Sequence, residues 1–304
     1  LYTELIDDYP LMVTAGIIAL TVALPIVLRT RPILPTASRE QLRSMSKDAV
    51  KETFSHQGWR LTAAFANKCE ACISPSNHLA RILVDEGGLT APCYVRPNGI
   101  NTSLYRDAAP QDSPVEKRPG ERFIISVARL SPEKRQKALI EAMPHIPDNR
   151  IKLVLVGGGP YENELRMRAA ELGVTGRVIF TGMQPSDKVA SLLKQADVFS
   201  LASYHFDNQP MTFLEAASSG LPIVYCDEQM TEGLTERNSV LADGIEGEDL
   251  ARAFNGLFSD PERLERLSLG SLDVARDFDS TTMAERMVGL YESLIRDHRA
   301  LPYR

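Results

Sequence analysis

Between residues 122 and 226 the chain repeats one pattern: a short unbroken apolar run, a longer segment of helical length, then another apolar run. The runs RFIISVA, IKLVLVG, RVIFTG, DVFSLAS and LPIVYC are of strand length and rich in β-branched residues. The segments between them are RQKALIEAMPHI, PYENELRMRAAELG, PSDKVASLLKQA and PMTFLEAASSG. Strands that are apolar on both faces must be covered on both faces, and strands separated by helices pair in parallel. The pattern therefore predicts an α/β fold with a parallel sheet between two helical layers. After LPIVYC helices dominate, in GEDLARAFNGLF, PERLERLSLGS and TTMAERMVGLYESLIRDH.

A shorter alternation precedes this domain. CEACIS reads as a strand, and SNHLARILVDEG as a helix with Ser76 as N-cap and Gly87 near its end. APCYVRP is a second strand. The stretch NGINTSLYRDAAPQDSPVEKRPGE, rich in Pro, Asp, Gly and Asn, reads as an interdomain linker. With 304 residues there is enough chain for two cores. The division expected is a partial first domain over 1–108, a second domain over 109–280, and a closing helix over 281–304 that crosses back to brace the first.

Residues 11–28, LMVTAGIIALTVALPIVL, are uncharged throughout. Glu4, Asp7 and Asp8 precede the run; Arg29, Arg31, Arg39, Arg43, Lys47, Lys51 and Arg60 follow it. Three readings stand: a buried helix kinked at Pro25, a helix dipping into one leaflet, or a span whose basic flank lies in the cytoplasm. Arg39, Arg43, Lys47 and Lys51 recur every four residues and share one helix face, either solvated or set against anionic lipid headgroups. The chain begins with Leu1, and the expectation is that it opens inside a longer protein.

The net charge of −6 argues against nucleic acid as a partner. Residues 1–108 carry 11 Lys/Arg and 10 Asp/Glu; the remainder carries 23 and 30. Cys69 and Cys72 form a C-x-x-C, but no second pair at ligand spacing accompanies them, and they fall in or before a strand. With Cys93 and Cys226 they read as ordinary buried thiols of a reducing compartment, and no metal site is expected.

Ligands of open parallel sheets bind beyond the carboxyl ends of the strands. After RFIISVA come Arg129 and Lys134, two cations ahead of a helix start, suited to a diphosphate; the plainer reading is surface cations, one paired with Glu133. After IKLVLVG come Gly157, Gly158, Gly159 and Pro160, which permit close backbone approach or simply a turn. After DVFSLAS comes Asp207, and eight positions later Glu215, one carboxylate in a loop and one within a helix. A carboxylate in a cleft can accept hydrogen bonds from two neighbouring hydroxyls, as on a ribose; otherwise the acids merely decorate a helix N-terminus.

Taken together and in this order, these residues resemble glycosyltransferase family 4, the retaining enzymes of GT-B fold. Arg129 and Lys134 look like its R-x4-K pair, Gly157 to Pro160 like its glycine turn, and Phe180-Thr181-Gly182 like its F-x-G turn. Asp207 and Glu215 look like its Glu-x7-Glu signature; Ser74 to Ser76 and Pro97 to Gly99 look like first-domain landmarks. The resemblance covers roughly 69–298 and implies two Rossmann-like parallel-sheet domains, the first incomplete. It implies that Arg129 and Lys134 hold the diphosphate and stabilise charge as the sugar–phosphate bond breaks, without a metal or other cofactor. Glu215 would bind the ribose, the backbone at Gly182 and Met183 the base. Asp207, Asn208, Gln209, Pro210 and Met211 would hold the donor sugar, with Asp207 counted among the catalytic residues.

The match has departures. Asp207 is one methylene shorter than Glu, Pro210 stands where a glycine is usual and offers no N–H, and Arg135 follows Lys134 where glycine is common. The first-domain glycine-rich loop and histidine of the family have no counterpart; none of His56, His78, His145, His205 and His298 sits in such a motif. The expected function is metal-independent hexose transfer from a nucleoside-diphosphate sugar, with retained configuration. The acceptor expected is a membrane lipid or a glycan, reached through peripheral contact at the cytoplasmic face of a membrane. The alternatives are an inactive nucleotide-sugar-binding module and a nucleotide-sugar epimerase of the same fold.

Overall fold

The computed structural model describes residues 47–300. The apolar run 11–28 and the basic residues from Arg29 to Arg43 lie outside the described residues. Among the described residues no helix is long and apolar enough to cross a membrane.

The first unit opens with helix α1 (Lys47–Ala66), followed by β1 (Cys72–Ser74), α2 (Asn77–Asp85) and β2 (Cys93–Val95). β1 and β2 pair in parallel, Cys72 beside Cys93. Ser76 caps α2 as its sequence position suggests, its hydroxyl accepting from the Leu79 N–H. The small core here gathers Ala63, Ala66, Leu83 and Leu89, with Trp59 packed against it. The cysteines are not uniformly buried: Cys226 is buried, Cys72 and Cys93 are half-buried, and Cys69 is exposed. The reason is that Cys69 falls in the turn between α1 and β1, ahead of the strand that shelters Cys72.

The stretch expected as a linker is instead structured at its start. Asn101 accepts from the Leu104 N–H and caps a short helix α3 (Thr102–Arg106), and a 3-10 turn follows at Pro110–Asp112. Ile100 and Tyr105 are buried in the core of the second unit, whose packing thus begins ahead of the expected boundary. Polar composition hid this because two large apolar side chains suffice to dock so short a segment.

The second unit is a six-stranded sheet, with β3 (Arg122–Val127), β4 (Ile151–Val156), β5 (Val178–Gly182), β6 (Val198–Leu201), β7 (Ile223–Tyr225) and β8 (Ser239–Leu241). All pairings are parallel, in the order β5-β4-β3-β6-β7-β8. That is the doubly wound nucleotide-binding order, with its switch point between β3 and β6. The helices are α4 (Gln136–Ala142), α5 (Glu162–Glu171), α6 (Ser186–Gln195), α7 (Met211–Ser218), α8 (Gly247–Phe258), α9 (Pro261–Arg276) and α10 (Ser280–Ala300). Strand residues alternate between two cores. Ile124, Leu153 and Leu155 face α4, α5 and α8 on one side. Phe123, Ile125, Val154 and Val156 face α6 and α7 on the other. β8 is a strand not foreseen in the mainly helical stretch expected after LPIVYC. Its three residues are too short for any periodicity, and only pairing with β7 defines it as a strand.

The chain then returns to the first unit. Ile100 makes backbone bonds with both Phe278 and Ser280 (Ile100 N to Phe278 O, 2.9 Å; Ser280 N to Ile100 O, 2.8 Å). α10 runs on from there beside β2, leaving a groove of about 520 Å³ between Tyr94–Pro97 and Met283, Arg286 and Leu290.

Candidate functional site

The loop after β3 carries Arg129 and Lys134, and its path is set by the glycines after β4. Gly157 has φ +134, and a Cβ there would lie 2.1 Å from the Ala128 carbonyl oxygen. Gly159 passes as close to Leu130, where an added Cβ would sit 2.1 Å from its carbonyl oxygen. Two backbone bonds stitch the loops together, Leu130 N to Gly158 O (3.0 Å) and Tyr161 N to Leu130 O (3.2 Å). A third, Gly157 N to Gly182 O at 2.9 Å, ties in the end of β5. The glycine turn therefore shapes the Arg129 loop from behind.

Arg129 is two-thirds exposed and pairs with Glu133, Nη2 to Oε1 at 2.5 Å. An exposed pair of this kind contributes about 0–1 kcal/mol, so the guanidinium is free to change partners. The helix expected behind the cations starts within one residue of the expected segment, at Gln136. Pro132–Lys134 form a 3-10 turn, and α4 begins after Arg135. Arg135 adopts φ 51, ψ 29, the left-handed region, which explains why glycine is common there. Its guanidinium is tethered to the Ile245 carbonyl (2.8 Å) and to Glu246 Oε1 (3.2 Å).

Lys134 reaches across the switch point. Its Nζ lies 2.5 Å from Asp207 Oδ1, with both side chains mostly buried. Ser203 donates to the other carboxylate oxygen at 2.6 Å, and the Phe206 ring lies 5.2 Å from Nζ. Thus the sequence-predicted Lys134 and Asp207, far apart in the chain, meet because β3 and β6 are neighbours. Beside this pair the backbone bends sharply at His205 (φ 49), whose N–H donates to buried Asp227 at 2.7 Å.

The remaining candidates are spread around the same edge. Met183 is strongly exposed beyond β5, next to Gly158. Glu215 is the fifth of the eight residues of α7; burial raises its carboxyl pKa, and a hydrogen bond with Tyr105 partly offsets this. Asn208 is exposed. Gln209 turns toward the first unit and binds Asn98. Pro210 N-caps α7 with φ −65 and Met211 opens it. Opposite the loop, Trp59, His78 and Ile82 of the first unit face His205, Phe206, Asp207 and Asn208 across a cavity of about 470 Å³.

Four partners were not foreseen as site residues: Ser203, Tyr105, Asp227, and Asn98, which the sequence marked only as part of the Pro97–Gly99 landmark. Asp227 follows β7, so inspecting every strand end finds it. Ser203 follows β6 for the same reason. Tyr105 lies in the stretch read as linker, and the partnership of Asn98 with Gln209 has no local signal.

Among the described residues no group of three or more His, Cys, Asp or Glu stands in position to hold a metal ion.

This architecture is that of the GT-B glycosyltransferases: a doubly wound domain, a second parallel-sheet unit facing its switch point, and a final helix returning between them. Residues 108–270 match the family described as glycosyl transferases group 1, and the chain belongs to that family. Among curated relatives, alpha-monoglucosyldiacylglycerol synthase of Streptococcus pneumoniae is 28% identical over 236 residues, 75% of this chain and 50% of that protein. A GDP-mannose-dependent alpha-(1-6)-phosphatidylinositol monomannoside mannosyltransferase of Mycolicibacterium smegmatis is 26% identical over 265 residues, 77% of this chain and 67% of that protein. The chain thus spans about half to two-thirds of the length of these relatives. Among solved structures, Anabaena HepE in complex with UDP and glucose superposes with a TM-score of 0.70 at 23% identity, covering 80% of this chain and 69% of HepE. Sucrose-phosphate synthase of Thermosynechococcus elongatus gives 0.70 at 20% identity, covering 86% and 67%.

Proposed function

We propose that the edge formed by the ends of β3 to β6 binds a nucleoside-diphosphate sugar, and that the protein transfers its hexose to a lipid or glycan acceptor. The observation that carries this reading is the Lys134–Asp207 pair spanning the β3/β6 switch point, with the loosely held Arg129 beside it. Arg129 and Lys134 hold the diphosphate, and Arg129 leaves its weak surface pair with Glu133 to do so. As the glycosidic bond to phosphate breaks, negative charge develops on the leaving diphosphate. The held Lys134 and the arriving Arg129 stabilise that charge without a metal. Asp207 orients Lys134 through one oxygen while Ser203 holds the other. Glu215 accepts from the ribose hydroxyls, and the base stacks near Gly182 and Met183. The loop from Asp207 to Met211 faces the sugar, which is transferred with retained configuration.

A membrane lipid is the acceptor class favoured by the relatives, two of which are named as a monoglucosyldiacylglycerol synthase and a phosphatidylinositol monomannoside mannosyltransferase. Peripheral contact at the cytoplasmic face of a membrane fits such an acceptor. The test is incubation with UDP-glucose or GDP-mannose and vesicles containing diacylglycerol or phosphatidylinositol. Formation of an α-linked glycolipid, lost in Arg129→Ala/Lys134→Ala, supports the reading. Absence of product and of nucleotide release with every donor would overturn it.

A further inference from the structure

Gln209 lies within the donor loop, yet its amide oxygen is already spent. The Asn98 backbone N–H and Nδ2–H both donate to Gln209 Oε1, at 2.8 and 3.0 Å. Gln209 Nε2 donates back to the Asn98 carbonyl at 3.3 Å. Three hydrogen bonds thus run between the donor loop and the P-N-G segment at the end of the first unit.

The same device recurs nearby. Asn77, at the start of α2, gives its backbone N–H and Nδ2–H to Glu232 Oε1, at 2.8 and 3.0 Å. In both cases one asparagine of the first unit chelates one side-chain oxygen of the second.

Asn98 is itself firmly placed. An added Cβ on Gly99 would lie 2.7 Å from Met283 Cγ and 2.9 Å from Ser280 Cα, so this backbone lies directly against α10. Ile100 is bonded to Phe278 and Ser280, and Thr102 donates to Asp279 at 2.6 Å. At the other end of the loop, Asp207 is held by Lys134 and Ser203.

We infer that Gln209 is a positioning residue, a latch that fixes the donor loop to the first unit through Asn98 rather than a ligand of the sugar. This deepens the donor-site reading and rests on it for its bearing on the sugar, but the latch itself exists without ligand. It makes the donor loop and the segment joining the two units move together. Displacing the first unit then displaces the loop that faces the donor.

The test uses the full chain with Gln209→Met, which removes the polar atoms at similar size, and Gln209→Glu, which keeps an acceptor oxygen. Melting curves confirm that both fold. Amide hydrogen exchange at Asn98, read by NMR without ligand, should accelerate by roughly five- to tenfold in Gln209→Met, the factor that loss of one ordinary hydrogen bond implies. It should stay near wild type in Gln209→Glu, whose carboxylate can accept both N–H groups as Glu232 does from Asn77. In a second arm, the affinity for UDP-glucose or GDP-mannose is divided by that for UDP or GDP. The latch predicts that the ratio falls in Gln209→Met and is kept within about twofold in Gln209→Glu. Unchanged Asn98 exchange in Gln209→Met overturns the latch. An equal loss of the ratio in both variants makes Gln209 a sugar ligand and overturns it as well. If no nucleotide binds to wild type, the donor-site reading fails while the exchange arm still decides the latch.

Discussion

Replacing Gly159 by alanine should damage both stability and nucleotide binding, although its φ is one that alanine accepts. The new Cβ would meet Leu130 at 2.1 Å from its carbonyl oxygen, 2.8 Å from its carbonyl carbon and 2.9 Å from its nitrogen. Ordinary carbon–oxygen contacts lie near ~3.3 Å, so the two backbones must part by roughly 1 Å. Overpacking of this kind costs about 1–3 kcal/mol, and loss of the Tyr161 N to Leu130 O bond adds about 1 kcal/mol. For a domain of this size the melting temperature should fall by about 4–16 °C. Because Leu130 adjoins Arg129, affinity for a nucleoside diphosphate should drop by roughly tenfold or more. Gly158→Ala is the internal contrast. Its Cβ would come 3.2 Å from Met183 Cγ, part of an exposed flexible side chain that can swing away. That variant should melt within about 2 °C of wild type, a change of under ~0.5 kcal/mol. Differential scanning fluorimetry of both variants decides the matter. If Gly159→Ala melts like Gly158→Ala, the close approach of the two loops is not what fixes the Arg129 segment.

Three further outcomes follow from named groups. Burial raises the Glu215 carboxyl, so the folded protein favours its protonated form. Its contribution to stability is complete below the ordinary carboxylate pKa and is lost as pH rises through the raised value, whereas nucleotide affinity, which needs the carboxylate as acceptor, rises over that same window by up to about tenfold per pH unit. Calorimetry from pH 4.5 upward should show that slope in wild type (about 4.3 being the unperturbed Glu value) and none in Glu215→Gln. Arg135→Ala keeps the left-handed backbone but loses the tether to Ile245, so it should be destabilised; Arg135→Gly should be more stable than Arg135→Ala by about 1 kcal/mol, measured by urea denaturation. Among the thiols of the described residues, exposed Cys69 should react with a maleimide well before Cys72 and Cys226, whose pKa values burial pushes up to about 11; equal labelling rates would contradict their placement.

What was legible in the chain follows from the range of the interactions. The strands from β3 to β7 were readable because each is a short apolar run that must be covered on both sides. The Lys134 and Asp207 candidates were readable because both follow strands, where ligands of parallel sheets bind. Their contact was not, because it depends on β6 lying next to β3 and not on any local pattern. β8 was invisible because three residues carry no period, and α3 because polar neighbours mask the docking of Ile100 and Tyr105. The left-handed Arg135 could be suspected only from the glycine usual at its position. The engagement of Gln209 by Asn98 joins residues more than a hundred positions apart, so only the fold reveals it.

The most direct test of the donor site is calorimetric titration of the wild-type chain with UDP, GDP and ADP, beside Arg129→Ala/Lys134→Ala. Hydrogen bonds to charged groups contribute about 1.5–3 kcal/mol each, so removing both cations should weaken binding by roughly 100-fold or more. Binding of one nucleotide that collapses in the variant is the result predicted here, and it names the base. A folded double variant that binds as tightly as wild type, or a folded wild type that binds none of the three, would contradict the assignment of the β3/β6 switch point as the donor site.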